Sequence, residues 1–413
     1  MKRHNVFILC ILVTFLMILA GCQAINVDAD ELERPIFSVA SGTRFDDVIV
    51  NFEITDPNEG VGAVVYYTLN GDDPIQEETA SCFLYTGTFN IETSCTVKAR
   101  AYKNSYNPST IAYANYIEAF ELMAPMIEER SQFGIVNVAG EVYLIGGLDS
   151  SGAPTDTVYK YTINTDTWET TDYFLPCNLC NFGTAAVGST IYIFGGHDGI
   201  SYQNSIYKLN LTEEPPAWSP LTTELPTARM FLSAVQINNL IYLIGGQENS
   251  SDFLADIDVF DPSDNSINTP SNPNDLPYPR SRMTAVTNGS IIYTIAGLNA
   301  GGYTSYTETF TPPAPGTVDS AFSDITSTLS QSSGIFYNNK IYCIGGENTG
   351  DLLDDIFIYD FSIPAWVTDE CPVPSKLKGA GAIVHNSEIF LFGGSTDTDT
   401  AAESSSVYKY HFE

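Results

Sequence analysis

The chain has 413 residues, with 50 Asp and Glu against 17 Lys and Arg and a formal net charge of -33. That length exceeds one ordinary core, so two or three domains are expected. A field of this sign repels phosphate backbones and excludes nucleic acid as a partner. The 31 Gly and 22 Pro are scattered, which suits short strands joined by many turns.

Residues 1–21 read as a targeting segment. MKRHN supplies a basic start, VFILCILVTFLMI a hydrophobic run, and LAGCQA small residues around a cysteine. Leu19-Ala20-Gly21-Cys22 resembles the lipobox of bacterial lipoprotein signals. The resemblance implies cleavage before Cys22, a thioether lipid on its sulfur and acylation of the new amino terminus, with residues 22–34 as a tether. Each methylene buried in lipid is worth ~0.8 kcal/mol, so two or three acyl chains hold a protein where one does not. It further implies an exported protein anchored to the cell envelope. Gln23 after the cysteine points to the outer membrane if the cell is Gram-negative.

Export permits disulfides. Beyond Cys10 and Cys22 the chain has Cys82, Cys95, Cys177, Cys180, Cys343 and Cys371, and sequence alone does not choose among their pairings. Cys82 and Cys95 flank a short apparent hairpin and form the best-motivated pair. Cys177-Asn-Leu-Cys180 has the spacing of a redox or half-zinc motif. No second such pair accompanies it, so a loop staple is expected, with no metal and no cofactor.

Residues 35–117 read as short alternating strands at 48–54, 63–69, 83–91, 95–103 and 110–117. Asn70-Gly71-Asp72-Asp73-Pro74 supplies turn chemistry between two of them, and the density of strands predicts a β-sandwich. YYTLNGDDP (66–74), LYTG (84–87) and TVKARAYKNSYNPS (96–109) resemble the chitobiase/β-hexosaminidase C-terminal domain. That resemblance implies an immunoglobulin-like sandwich acting as an accessory or spacer. Tyr66, Tyr67, Tyr85, Tyr102 and Tyr106 are either half-buried strand aromatics or platforms for sugar rings.

From about Arg130 a phrase of the form IYLIGG recurs. Gly146, Gly195, Gly245, Ala296, Gly345 and Gly393 are separated by 49, 50, 51, 49 and 48 residues. A period near 50 with an apolar strand and a diglycine resembles the kelch repeat, whose units are propeller blades. The resemblance implies a six-bladed kelch-type β-propeller over 118–413, giving an all-β chain with the sandwich in front. One blade cannot cover both its faces, so the ring must close. The last unit lacks an outer strand, and residues near 117–123, with Phe120 standing where Trp168 and Trp366 stand, are expected to supply it. The spacing Tyr161–Trp168 recurs as Tyr359–Trp366 and Phe260–Ile267.

Function is expected on the unlike loops that follow the glycines. Arg130, Arg229 and Arg280 occupy equivalent positions in three units, where Leu179, Leu329 and Leu377 stand in the others. Three arginines meeting at a channel mouth would hold a carboxylate, whereas pairing to Glu129, Glu224 or Asp275 would make them structural. With His197 and Glu347 they form the candidate ligand-binding set. The leading expectation is a lipid-anchored binding protein presenting propeller loops to a glycan or protein partner. The alternative is a sugar-processing enzyme, reminiscent of N-acetylneuraminate epimerase, a sialic-acid mutarotase, which needs acid and base groups beside an anion-binding Arg. No catalytic residue is assigned. No phosphate-loop, G-x-S-x-G or paired-His motif is present.

Overall fold

A computed structural model describes residues 32–411 apart from 46–47, 54–61, 92, 105, 270–274, 313–316, 350 and 398–401. The targeting segment and Cys22 lie outside the described residues. Contacts divide the chain at Tyr116–Ile117 into two compact units. Among the described residues no helix is long and apolar enough to cross a membrane.

In the first unit a five-stranded sheet runs in the order Thr43–Phe45, Ala112–Glu118, Cys95–Tyr102, Val64–Thr68, Cys82–Leu84. Two short ribbons accompany it: Ile36–Phe37 with Phe52–Glu53, and Val48–Val50 with Phe89–Ile91. Two expected strands are therefore split. The run 83–91 breaks after Leu84, where Tyr85 sets its ring 5.0 Å from Phe52 and the chain leaves the large sheet. The run 48–54 breaks at Asn51, so that its two halves pair with different partners. Val50, Val65, Val97, Ala99 and Ala101 are fully buried between these layers.

The expected Cys82–Cys95 disulfide is not formed. Cys82 and Cys95 do not flank a hairpin: strand Val64–Thr68 lies between theirs, with Thr68 opposite Cys82 and opposite Lys98. Two strand spacings come to ~9–10 Å, beyond the reach of a disulfide.

In the second unit six four-stranded antiparallel sheets follow one another. The first comprises Gly134–Val138, Glu141–Ile145, Val158–Thr162 and Thr167–Thr170. The second comprises Gly183–Val187, Thr190–Phe194, Ile206–Asn210 and Trp218–Pro220. The third comprises Ser233–Ile237, Leu240–Ile244, Ile257–Asp261 and Ser266–Asn268. The fourth comprises Thr284–Thr287, Ile292–Asn299, Gly302–Thr311 and Thr317–Asp319. The fifth comprises Ser333–Tyr337, Lys340–Ile344, Ile356–Asp360 and Ala365–Thr368. The sixth takes Gly381–His385, Glu388–Phe392 and Val407–Tyr410 from the end of the chain and Phe120–Leu122 from before the first sheet. Phe120 lies opposite Tyr410, Glu121 opposite Lys409 and Leu122 opposite Tyr408.

Each feature of the repeat has a local cause. The innermost hairpins of the first, third, fifth and sixth sheets turn through two residues with positive φ, as at Asn238 (52°) and Asn239 (64°) or Asn338 (46°) and Asn339 (57°). Such turns match the twist of the strands they join. The second strand is buried along its length because both faces are covered: Ile241, Leu243 and Ile244 are 0% exposed and Tyr242 is 1% exposed. The seven-residue spacing of Tyr161 and Trp168 is a cross-strand pair in the outer hairpin, with ring centroids 4.8 Å apart. Tyr359 with Trp366 and Phe260 with Ile267 are paired likewise. In the second sheet the partner is Trp218, opposite Leu209, reached through a longer hairpin that hides the spacing.

Candidate functional site at the diglycine end of the ring

The ladders place the start of each innermost strand, the end of the second and the start of the third at one end of the ring, as Gly134, Ile145 and Val158 in the first sheet. Three layers of repeat-equivalent residues build this end.

The first layer is a staple between sheets. The second glycine of each pair donates its N–H to the carbonyl at the Arg/Leu position of the next sheet: Gly147 to Leu179, Gly196 to Arg229, Gly246 to Arg280, Gly297 to Leu329, Gly346 to Leu377 and Gly394 to Arg130, at 2.7–3.0 Å. The first glycine has positive φ, and a Cβ at Gly195 would lie 2.5 Å from the Arg229 carbonyl oxygen. Sterics therefore impose glycine there. Ala296 keeps positive φ (56°), and at this position the ladder of the fourth sheet shifts register between Ile295 and Gly297.

The three arginines of these positions do not meet. Arg229 and Arg280 are 0% exposed and Arg130 is 1% exposed. The terminal nitrogens of each are paired with nearby groups, while Nε of Arg130 and of Arg280 is buried without a partner among the described residues. Arg229 donates to Asp258 and, at 3.2 Å, to the Gly245 carbonyl. Arg280 donates to Glu308 from both terminal nitrogens and to Thr294 Oγ1. Arg130 donates to Glu128 and Thr157 at 2.7 Å and lies 5.7 Å from the Tyr159 ring centroid. These acids are not Glu129, Glu224 or Asp275. The three arginines thus form separate ion pairs rather than one convergent site, and none of the three is free to serve as the anion-binding group of the mutarotase reading. Where Leu179, Leu329 and Leu377 stand instead, the third-strand positions matching Asp258 and Glu308 are Tyr207, Phe357 and Tyr408.

The second layer surrounds the axis. Gln132, Asn181, Phe231, Arg282, Gln331 and Gly379 all have φ between 53° and 60°. Their backbones form a closed belt in which each N–H donates to the carbonyl of the previous member, Gln132 to Gly379 included, at 2.7–3.1 Å. With Phe133, Phe182 and Met283 they line an axial cavity of about 200 Å³.

The third layer is the residue after each diglycine: Leu148, His197, Gln247, Leu298, Glu347 and Ser395, bridged to Ser131, Cys180, Met230, Ser281, Ser330 and Lys378. Here the chemistry diverges. Glu347 accepts from Lys378 Nζ at 2.6 Å and from Gln331 Nε2 at 2.8 Å, and lies 3.7 Å from Arg282. Arg282 covers the Phe231 ring at 4.2 Å, makes no side-chain hydrogen bond among the described residues, and has a buried, unpartnered Nε. Burial holds the Arg282 guanidinium below its usual range, with Glu347 opposing. Burial, and then Glu347, push the Tyr303 phenol up. His197, three sheets from Glu347, accepts the Gly199 N–H at Nδ1 and sets its ring 5.3 Å from Tyr202. The candidates His197 and Glu347 therefore hold equivalent positions across the ring, not one catalytic group.

Cys177 and Cys180 are free thiols; Cys180 is buried, and burial pushes it up to about 12. Among the described residues no group of three or more His, Cys, Asp or Glu is placed to hold a metal ion. In the first unit the tyrosines pack on neighbours: Tyr67 stacks on Phe89 at 4.3 Å, and Tyr66 meets Tyr102 edge-on at 5.7 Å.

Residues 132–313 match the profile of the KLHDC2/KLHL20/DRC7 kelch-repeats domain and 329–368 that of the kelch motif. Residues 52–116 match the profile described as Fn3 associated, over the segment whose motifs resemble the chitobiase C-terminal domain. The chain is 31% identical over 150 residues to human kelch domain-containing protein 1, covering 33% of this chain and 37% of that protein. It is 25% identical over 295 residues to kelch-like protein terF of Aspergillus terreus, covering 64% of this chain and 61% of that protein. It is 26% identical over 165 residues to the bovine Rab9 effector protein with kelch motifs, covering 38% of this chain and 44% of that protein. The solved structure of YjhT superposes with a TM-score of 0.60 at 14% identity, covering 69% of this chain and 95% of that one. Kelch repeats on successive four-stranded sheets make the second unit a kelch-type β-propeller.

Proposed function

We propose that the chain is a binding protein: a six-bladed kelch propeller that presents its diglycine end to a protein partner, tethered to the cell envelope through a lipid on Cys22. The observation that carries this reading is the contrast between layers. The backbone staples and belt repeat around the ring, while the residues just beyond them differ: Leu148 and Leu298 are apolar, and His197, Gln247, Glu347 and Ser395 are polar and unlike one another. A position whose side chain serves the fold keeps its residue type, and unlike side chains on a rigid backbone frame are how a scaffold makes a binding surface. Relatives named for kelch domains, one of them named an effector, support a protein partner. A glycan is less well served, because Tyr66, Tyr67 and Tyr102 of the first unit face other rings.

The test is site-specific photocrosslinking in the cells that make the protein. A crosslinker at Gln132 or Tyr202 should capture one discrete partner, and one at Asn239 or Asn339, in the turns of the opposite end, should not. Equal capture from both ends would reject the reading. For the tether, Cys22→Ser should abolish palmitate labelling, and retained labelling would reject the lipid.

A further inference from the structure

Between loops of the third and fourth sheets lies a cleft of about 770 Å³. Its walls carry Glu248, Asp252 and Phe253 from the loop after the third diglycine, Tyr278 from the connection into the fourth sheet, and Tyr303 and Tyr306 from Gly302–Thr311. Tyr278 and Tyr306 stack at 4.5 Å and 25°, yet are 46% and 37% exposed. Two tyrosines held together at the surface leave ring faces and edges open to a ligand. Among the described residues no Lys, Arg or His lines the cleft. The Asp252 carboxylate is held by Asn249 at 2.6 Å, and the Glu248 carboxylate has no hydrogen bond or ion pair among the described residues.

We propose that this cleft binds a cation, the Lys or Arg side chain of a protein partner, which deepens the function proposed above and rests on it. Aromatic faces carry negative potential and attract an ammonium or guanidinium, and adjacent carboxylates neutralise it. A chain of net charge -33 adds a long-range field of the same sign, drawing in a basic partner and giving a neutral sugar nothing. An anionic ligand would meet two carboxylates and no compensating base. The aliphatic stem of a Lys or Arg also suits the Phe253 and Tyr306 walls, since such side chains bury their methylenes while the head stays paired.

The test titrates the full chain, by calorimetry at physiological salt, with a short Gly-Ser peptide carrying spaced lysines and with its lysine-acetylated counterpart. The lysine peptide should bind at least ~10-fold more tightly than the acetylated one. Replacing both Tyr278 and Tyr306 with Ala, which leaves the net charge unchanged, should weaken binding by roughly ten-fold. Glu248→Lys, at an exposed position where folding is not at risk, should weaken it further. Equal binding of the acetylated peptide overturns the proposal. So does unchanged binding by the tyrosine variant at unchanged melting temperature, since diffuse surface charge would then be the cause. Binding of chitotriose in place of the lysine peptide also overturns it, in favour of a sugar site. Crosslinking at Gln132 reports the general binding function separately, so its persistence alongside silent cleft variants would sink only the cleft.

Discussion

Arg280 is fully buried with both terminal nitrogens held by Glu308 and Thr294, whereas Arg282, two residues on, lies over Phe231 beside the axial cavity, 3.7 Å from Glu347 and with no side-chain hydrogen bond among the described residues. The first stands where other sheets have Arg or Leu, and the second where they have Gln, Asn, Phe or Gly. Repeat-equivalent chemistry marks the frame. Equivalent backbone with unlike side chains marks the surface that the frame displays.

The largest effect should come from opening a buried pair. Arg229→Leu leaves Asp258 buried without its cation, an expected loss of about 3–5 kcal/mol in denaturant unfolding. Next is the staple. Gly195→Ala forces a methyl against the Arg229 carbonyl at positive φ and should cost about 2–3 kcal/mol, while Ala296→Gly, at the bulged equivalent, should change stability by less than about 1 kcal/mol. Equal effects at the two sites would remove the steric account of the diglycine.

A double change sharpens the comparison further. Arg229→Leu with Asp258→Tyr installs the Leu179–Tyr207 combination of the second sheet and should restore stability to within about 1.5 kcal/mol of the parent. Stability as low as the single variant's would mean that the two combinations are not interchangeable.

The smallest effect is a pH dependence. Burial raises the Glu403 carboxyl, and its Oε2 is buried without a hydrogen-bond partner among the described residues. Between the unfolded and the raised folded value the native state holds the extra proton, so stability is lost as pH rises through that window. Glu403→Gln should therefore stabilise at neutral pH and have no such effect below the unfolded value, read from melting at both pH values. The reverse order would contradict the assigned cause.

The repeat was legible because it is local: an apolar strand, two glycines and a cross-strand aromatic pair all fall within a short stretch. Long-range pairing was not. Asp258 and Glu308 lie 29 and 28 residues beyond their arginines, so nearby acids were the natural partners to name. A usable signal did exist in the third strand, where an acid accompanies Arg229 and Arg280 and an aromatic accompanies each Leu. The Cys82–Cys95 pairing failed for a related reason, since a hairpin was read where another strand intervenes. Arg282 passed unnoticed because its equivalents, Gln132, Asn181, Phe231, Gln331 and Gly379, share only a positive φ and a belt of backbone hydrogen bonds. Side-chain patterns do not display that.

The most direct test of this division between frame and surface is the melting temperature of Arg280→Met beside that of Arg282→Met. Arg280→Met should fall by roughly 5–10 °C, because it strands buried Glu308, and Arg282→Met should stay within about 2 °C of the parent. A large fall for Arg282→Met with little change for Arg280→Met would contradict it.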